Sequence, residues 1–173
     1  MQIEFENKLT ELGWSYSIHH DDFYTISSKK GGANNIVVRL ISTLPINKQV
    51  HCSKNGTEVQ AIGRFKFKLQ SSRLEPDILS FAFHNTVKNR VEFLIIPLHE
   101  FLRRRVNMNP RSARSKMVMM TIWLFEDGQV YDTSNLSPEG EWYFLSKGLN
   151  GRMANGSEID YCEHLNNWRR LMV

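Results

Sequence analysis

The run "HHDD" at residues 19–22 places two imidazoles next to two carboxylates. Both side-chain types ligate divalent metal ions, so the run suggests a metal site. Neighbouring residues of a strand point to opposite faces, so His20 would share a face with Asp22, or His19 with Asp21. A polar loop at the end of a strand has the same composition, and the sequence leaves both interpretations open.

A basic stretch at residues 103–116 contains six cationic side chains and no acid. They are Arg103, Arg104, Arg105, Arg111, Arg114 and Lys116. Arginine suits phosphate because its planar fork donates two hydrogen bonds at once. We therefore expect this stretch to contact the phosphates of a nucleic acid. Two alternatives remain open, since cations also favour the C-terminal end of a helix and are common in solvated loops.

Positive charge is concentrated in the middle of the chain. Residues 29–116 contain seventeen basic and five acidic residues, a charge of +12, whereas residues 1–28 and residues 117–173 each sum to −4. The whole chain therefore has a formal net charge of +4. A basic block of this size attracts a phosphate backbone. An anionic membrane surface and an acidic protein are the alternative partners.

The length of 173 residues and the hydrophobic content of 41% fit one domain around one core. No apolar run approaches the roughly 20 residues that span a bilayer, so we expect no membrane insertion. The first residues lack the pattern of a secretory signal. Cys52 and Cys162 provide neither a disulfide framework nor a paired metal-ligand spacing, and we expect a location in the reducing cytoplasm.

The hydrophobic pattern predicts the elements that must position these side chains. Helical spacing of apolar residues predicts helices at 2–12, 98–106 and 158–172. Alternation and short apolar runs predict strands at 14–18, 23–27, 36–43, 64–70, 77–84, 91–97, 117–125 and 139–149. This order predicts an α+β fold with a central mixed β-sheet flanked by helices.

The segment "RFKFKLQ" at residues 64–70 has the most regular alternation in the chain. Successive side chains of a strand point to opposite faces, so its apolar residues should face the core. Its cations should then stand in a row on the opposite face, at Arg64, Lys66 and Lys68. Lys66 and Lys68 are therefore further candidates for contact with phosphate.

Several segments together resemble the PD-(D/E)XK nuclease superfamily, in particular its small members near restriction and homing endonucleases. The segments are "EFENKLTELGW", the hairpin leading to "VVRLIST", "RFKFKL", "PDILSFAF" and "VEFLIIPLHEFLRRR". The likeness covers residues 1–106 and implies a restriction-endonuclease-like core, with residues 107–173 as a C-terminal extension packed on the same domain. It also implies DNA as the partner and Mg²⁺-dependent phosphodiester hydrolysis as the activity.

Carried over position by position, the resemblance makes Asp22 the metal-binding aspartate of the hairpin. The segment "RLI" at 39–41 then falls where the family has its acid-X-lysine element. Arg39 replaces a metal-binding acid, and Ile41 replaces the lysine that orients or activates water. A guanidinium can contact phosphate but cannot ligate Mg²⁺, so Arg39 becomes a candidate phosphate contact and hydrolysis by the usual route is impaired.

A second alignment places the family motif later in the chain. Asp77, in "PD" at 76–77, and Glu92, in "EFL" at 92–94, then supply two carboxylates on adjacent strands. Leu94 stands where the family has lysine. Between them, the two alignments make Asp22, Asp77 and Glu92 the candidate catalytic residues and Mg²⁺ ligands.

Three functions follow as expectations. The first is a double-stranded DNA-binding protein that hydrolyses DNA with Mg²⁺, acting as a homo-oligomer because small DNA-binding domains commonly use two-fold symmetry. The second is a catalytically silent subunit of the same fold that binds or regulates. The third is a protein-interaction module whose basic face meets an acidic partner.

Overall fold

The structure is a computed structural model, and it describes residues 1–20, 22–28, 35–44, 53–54, 57–69, 75–108, 117–134 and 159–171. The elements in chain order are α1 (Gln2–Glu11), β1 (Trp14–His20), β2 (Phe23–Ser28), β3 (Ile36–Ser42), β4 (Ser53–Lys54), β5 (Thr57–Lys68), β6 (Ile78–Asn85), β7 (Arg90–Pro97), α2 (Leu98–Met108), β8 (Met117–Phe125) and β9 (Val130–Asp132). Two short 3-10 helices follow, at Cys162–His164 and Trp168–Leu171. The predicted strand at 139–149 lies outside the described residues.

The first sheet is mixed and has five strands in the order β1-β2-β3-β6-β7. Only the central pair, β3 with β6, runs parallel; the other neighbours are antiparallel. Helix α1 packs on one face through buried Phe5 and Leu9, and Gly13 follows the helix end with a φ of 77°. The predicted opening helix and the predicted α+β class with a mixed sheet are therefore confirmed.

A second, antiparallel sheet, in the order β4-β5-β8-β9, packs against the opposite face of the first sheet. Phe65 and Phe67 of β5 bring their rings to 5.1 and 5.5 Å from the ring of Phe81 on β6. The alternation of β5 is therefore as predicted, with its phenylalanines in the core. Its placement in a separate sheet was not predicted, since the sequence pattern suggested one sheet with helices on its faces.

The C-terminal segment differs from its prediction. The spacing of Tyr161, Leu165 and Trp168 predicted one amphipathic helix, but the structure has two 3-10 helices separated at Leu165 and Asn166. Asn166 has a positive φ of 50°, and Leu165 forms a bridge with Leu94 of β7. The chain leaves the helical path there because its backbone pairs with the edge of the sheet.

Within the described ranges, no helix is long and apolar enough to cross a membrane. The strands predicted at 77–84 and 91–97 are confirmed; they form an antiparallel hairpin, with residues 86–89 as its turn. Asn89 takes a φ of 47° there, in the left-handed region that asparagine tolerates better than most residues.

Candidate nucleic-acid interface

The outer face of the second sheet presents a row of three exposed cations. Arg64, Lys66 and Lys68 are exposed along β5, while the intervening phenylalanines are buried. Residues two apart on one strand are separated by about 7 Å, so the row is about 14 Å long. We call Arg64, Lys66 and Lys68 the basic row. Lys66 and Lys68 are the phosphate contacts that the sequence predicted. Arg64 lies on the same exposed face, as the alternation of β5 also predicts, and we add it to them.

The strand beside the basic row adds apolar surface to this face. In the antiparallel register, Lys66 pairs with Met119 and Lys68 pairs with Met117 of β8. The exposed fractions are 66% for Met119 and 37% for Met117. Exposed methionines at adjoining positions are uncommon on an ordinary solvated face, because burial of such side chains is favourable. The face is therefore both cationic and apolar, which suits a binding surface.

Arg39 and Asp22 form an ion pair between the sheets. Arg39 Nε donates to Asp22 Oδ2 at 2.7 Å, and the Arg39 side chain is 8% exposed. The guanidinium also donates to the main-chain oxygen of Lys68 and lies 5.0 Å from the centre of the Phe23 ring. Because its donors and its aromatic contact are internal, the Arg39 charge is satisfied within the protein and is not presented as a phosphate contact.

The register explains this placement. Phe23, at the start of β2, pairs with Arg39 of β3, so Asp22 immediately precedes the strand position opposite Arg39. Ile41, two residues further along β3, lies on the same face and belongs to the buried cluster between the sheets. The positions where the resemblance expects acid and lysine are thus filled by an internal cation and a core side chain. A metal ion at Asp22 would lie beside the Arg39 guanidinium, whose positive charge opposes binding of a second cation there.

Asp77 connects three elements at the start of β6. Its Oδ2 accepts the main-chain N–H of Val37 at 2.8 Å, and its main-chain oxygen accepts the N–H of Leu98, the first residue of α2, at 2.8 Å. The residue is exposed, but one carboxylate oxygen has this structural use. The geometry therefore assigns Asp77 a role in joining β3, β6 and α2.

Glu92 lies far from Asp77 because β6 and β7 are antiparallel. Glu92 pairs with Phe83, six residues beyond Asp77 along β6, a separation of about 20 Å. The expectation that these carboxylates share one metal site is therefore wrong, since the starts of antiparallel neighbours lie at opposite ends of a sheet. Within the described part of the chain, none of Asp22, Asp77 and Glu92 belongs to a group of three converging metal-ligand atoms.

The carboxylate of Glu92 is buried and satisfied by three donors. Its Oε1 accepts from Arg90 Nε at 2.7 Å and from Asn85 Nδ2 at 3.2 Å, and its Oε2 accepts from Asn166 Nδ2 at 2.6 Å. Glu92 lines an open groove of about 750 Å³ beside β7, but these bonds tie it to the hairpin and to the C-terminal segment. The arrangement is that of a structural acid.

The three consecutive arginines of α2 do not share one environment. Arg103 is exposed, whereas Arg104 and Arg105 are buried. Arg104 donates to Glu100 and Glu163 at 2.9 and 3.0 Å. Burial lowers the pKa of Arg105, and the nearby Asp132 carboxylate offsets part of this effect. Arg104 and Arg105 therefore serve the interior rather than a phosphate. The other predicted cations of this stretch, Arg111, Arg114 and Lys116, lie outside the described residues.

Among the described residues, one group offers three metal-ligand atoms within 4.8 Å of one another: Glu100, Glu163 and His164. Both carboxylates are already paired, because Arg104 and Arg170 each contact both of them. The group is therefore best described as a charge-balanced network that holds the C-terminal segment against α2. The four-residue spacing of Glu100 and Arg104 was the sequence signal for it.

Burial and neighbouring charges lower the pKa values of two members of this network, His164 and Glu100. Burial lowers the pKa of His164, whose Nδ1 lies 3.2 Å from the main-chain oxygen of Ile95 and whose Nε2 lies 3.3 Å from an Arg104 nitrogen. His164 Nε2 also lies 3.2 Å from Glu100 Oε1, and the negative charge of that carboxylate opposes the effect of burial on the imidazole. Burial alone would raise the pKa of Glu100, but the Arg104 hydrogen bond and the nearby positive charges outweigh it and lower that pKa.

Comparisons with protein-family models, with curated proteins and with solved structures find no match for this chain. The likeness to PD-(D/E)XK nucleases therefore rests on the sequence segments alone.

Proposed function

We propose that this protein binds double-stranded DNA through the outer face of its second sheet, and that it is a catalytically silent relative of the restriction-endonuclease-like proteins. The observation that carries the binding proposal is the basic row: three cations exposed on one strand face, with exposed Met117 and Met119 beside them. Cations at fixed spacing neutralise phosphates and release condensed counterions, which drives association.

The ion pair of Asp22 and Arg39 supports the proposal that the protein does not hydrolyse DNA. Hydrolysis with Mg²⁺ needs convergent oxygen ligands, and Arg39 instead places a guanidinium 2.7 Å from the Asp22 carboxylate. Of the two other candidate acids, Asp77 accepts a main-chain N–H and Glu92 accepts side-chain donors. They lie at opposite ends of the β6–β7 hairpin. We therefore propose binding without hydrolysis, with Mg²⁺ not required for affinity.

The test is fluorescence anisotropy with labelled duplex DNA, single-stranded DNA and duplex RNA, each over a range of salt concentrations. The proposal predicts binding to duplex DNA whose logarithmic affinity falls linearly with the logarithm of salt concentration. Affinity for duplex DNA should be unchanged when EDTA replaces Mg²⁺. Absence of binding to all three probes at low salt would contradict the proposal.

A second candidate function is supported by the two methionines. An exposed apolar pair beside a cationic row also suits an acidic, amphipathic protein segment. Such a partner would bury Met117 and Met119, so substitution of both by serine would abolish binding. Binding to DNA, which depends chiefly on charge, would be weakened much less by the same double substitution.

A further inference from the structure

Most strand edges in the described part of the chain are covered by other main-chain groups. At β7, the N–H of Asn166 donates to the Phe93 oxygen at 2.6 Å, and the Asn166 side-chain oxygen accepts the Phe93 N–H at 2.9 Å. At β9, Tyr131 bridges Asp160, and Tyr161 donates to the oxygen of Val130 at 2.9 Å. These contacts close one edge of each sheet.

The edge of β5 that faces away from β8 is covered as well. Strand β4 pairs with its first residues, and Leu44 donates its N–H to the oxygen of Arg64 at 2.7 Å. The hydroxyl of Thr43 accepts the N–H of Arg64 at 2.9 Å. Main-chain groups along this edge therefore have partners from the segment that follows β3.

Strand β1 is different, because its register pairs it with β2 on one side and with no other described strand on the other. It extends over seven residues, "WSYSIHH", and contains no lysine, proline or acid. Charged residues, proline and short length are the usual protections of an edge strand. A β-bulge also protects an edge strand, and β1 has a register irregularity between Ile18 and His20. Among the described residues, no main-chain group pairs with the outer edge of β1, and an unpaired edge of this length is a surface for strand addition.

We propose that β1 pairs antiparallel with β1 of a second copy of this chain, about a two-fold axis at Ser17. Ser17 is the midpoint of the strand, so this register spans all seven residues, with the irregularity between Ile18 and His20 at one end of it. Residues opposite each other in an antiparallel pair share a face, so Tyr16 of one copy meets Ile18 of the other on one face. On the opposite face, Ser15 meets His19 and Ser17 meets Ser17.

This register is self-complementary in chemistry as well as in length. Ile18 is 47% exposed in the single chain and would be covered by an aromatic ring from the second copy. The opposite face would pair hydroxyl groups with one another and with imidazole. No pair in the register opposes two like charges, which would weaken it. The symmetric use of one surface is the commonest way in which two identical chains associate.

Pairing at β1 would join the two five-stranded sheets into one sheet of ten strands. Because paired residues share a face, both second sheets would lie on the same side of it. Both basic rows would then point to one side of the dimer. The inference does not depend on DNA binding, since it rests on the edge of β1 alone.

The test introduces a charge at Ser17, whose side chain is exposed. Sedimentation velocity should show a dimer for the wild type. Ser17→Lys and Ser17→Glu place like charges on the two-fold axis and should each weaken self-association by roughly tenfold or more. An equimolar mixture of the two variants should recover the dimer, because opposite charges then meet. Ser42→Lys, at an exposed residue of β3, is the matched control and should remain dimeric.

A wild type that is monomeric, or a Ser17→Lys variant that dimerises as strongly as the wild type, would overturn the proposal. Circular dichroism establishes that each variant is folded. As an independent measurement, Ser17→Cys in a background with Cys52→Ser and Cys162→Ser should form a disulfide-linked dimer under mild oxidation, whereas Ser42→Cys should not. Equal cross-linking of both cysteines would also contradict pairing at β1.

Discussion

Arg39 and Asp22 are joined by an ion pair of 2.7 Å in which the arginine is buried and the aspartate is about one-third exposed. The pair connects the start of β2 with the centre of β3, and the aromatic rings of Phe23 and Phe67 lie beside the guanidinium. In the alignment suggested by the sequence resemblance, Arg39 occupies the position of a metal-binding acid of the PD-(D/E)XK nucleases. The pair is therefore the structural reason for proposing that the protein binds DNA without cutting it.

Removal of the arginine should destabilise the fold. Arg39→Ala leaves the oxygen of Lys68 without its donor and the Asp22 carboxylate without its partner. Because Asp22 is partly solvated, we expect a loss of about 2–3 kcal/mol in the free energy of unfolding, below the range for fully buried pairs. Urea denaturation measures it. The conservative Arg39→Lys should lose less, and an unchanged midpoint for Arg39→Ala would refute the structural role of the pair.

Plasmid DNA incubated with the protein and Mg²⁺ should remain uncut. The reason is that Asp22, Asp77 and Glu92 each accept hydrogen bonds from other groups of the protein, and that the antiparallel register separates Asp77 from Glu92. Conversion of supercoiled to nicked or linear plasmid, read on an agarose gel, measures cleavage. Cutting by the wild type that is lost in Asp22→Ala but retained in Lys88→Ala would place a working site at Asp22, against this prediction.

Arg104 should matter for stability and not for DNA affinity. It is buried and donates to Glu100, Glu163 and the main-chain oxygen of Asp160. Arg104→Ala would leave two carboxylates short of a partner, and we expect a loss of roughly 3 kcal/mol. The salt dependence of DNA binding should be unchanged while the variant is folded. A reduced salt slope with unchanged stability would show instead that Arg104 reaches phosphate.

Acidification should destabilise the protein in two steps. Burial lowers the pKa of His164 from its ordinary 6.5, so the unfolded chain takes up this proton first and stability falls as the pH drops below about 6.5. The pKa of Glu100 is also below its ordinary 4.5, so its contribution is present above that pH and is lost as the pH falls through the folded value. Urea denaturation across this range measures both steps.

The variant His164→Gln separates the two steps. It removes the titrating imidazole and should flatten the dependence near pH 6.5 while leaving the fall at lower pH. If the slope near pH 6.5 is the same in this variant, a different histidine is responsible.

Local patterns predicted the parts of the fold that depend on near neighbours. The alternation of Phe65, Lys66, Phe67 and Lys68 fixed which face of β5 is buried, since side-chain period alone decides it. Helix α1 and the hairpin at 86–89 followed from equally local signals. The pairing of β5 with β8 did not, because it joins residues from 49 positions (Lys68 and Met117) to 66 positions (Val59 and Phe125) apart, and no local pattern encodes which strand is the partner.

Charge could be counted from the sequence, but its exposure could not. Arg103, Arg104 and Arg105 look equivalent in the sequence, yet the helical rotation between them takes two of the three into the interior. Arg104 meets Glu163 from a segment nearly sixty residues later, a contact set by tertiary packing. Asp77 and Glu92 were predicted to share a site because each begins a neighbouring strand. The antiparallel register, which the sequence does not specify, separates them.

Binding of DNA through the basic row is tested most directly by comparing two triple variants in duplex-DNA binding over a range of salt concentrations. One removes the basic row, as Arg64→Ala, Lys66→Ala and Lys68→Ala. The matched control removes three other exposed or partly exposed cations and so makes the same change in net charge, as Lys8→Ala, Lys88→Ala and Arg169→Ala. Both must be folded by circular dichroism.

The basic-row variant should lose most of its affinity, and its salt slope should fall by up to about 0.9 for each cation removed, while the control should keep the wild-type slope. Equal losses in the two variants would mean that only net charge attracts the DNA. Full binding by the basic-row variant would contradict binding of DNA through the outer face of the second sheet.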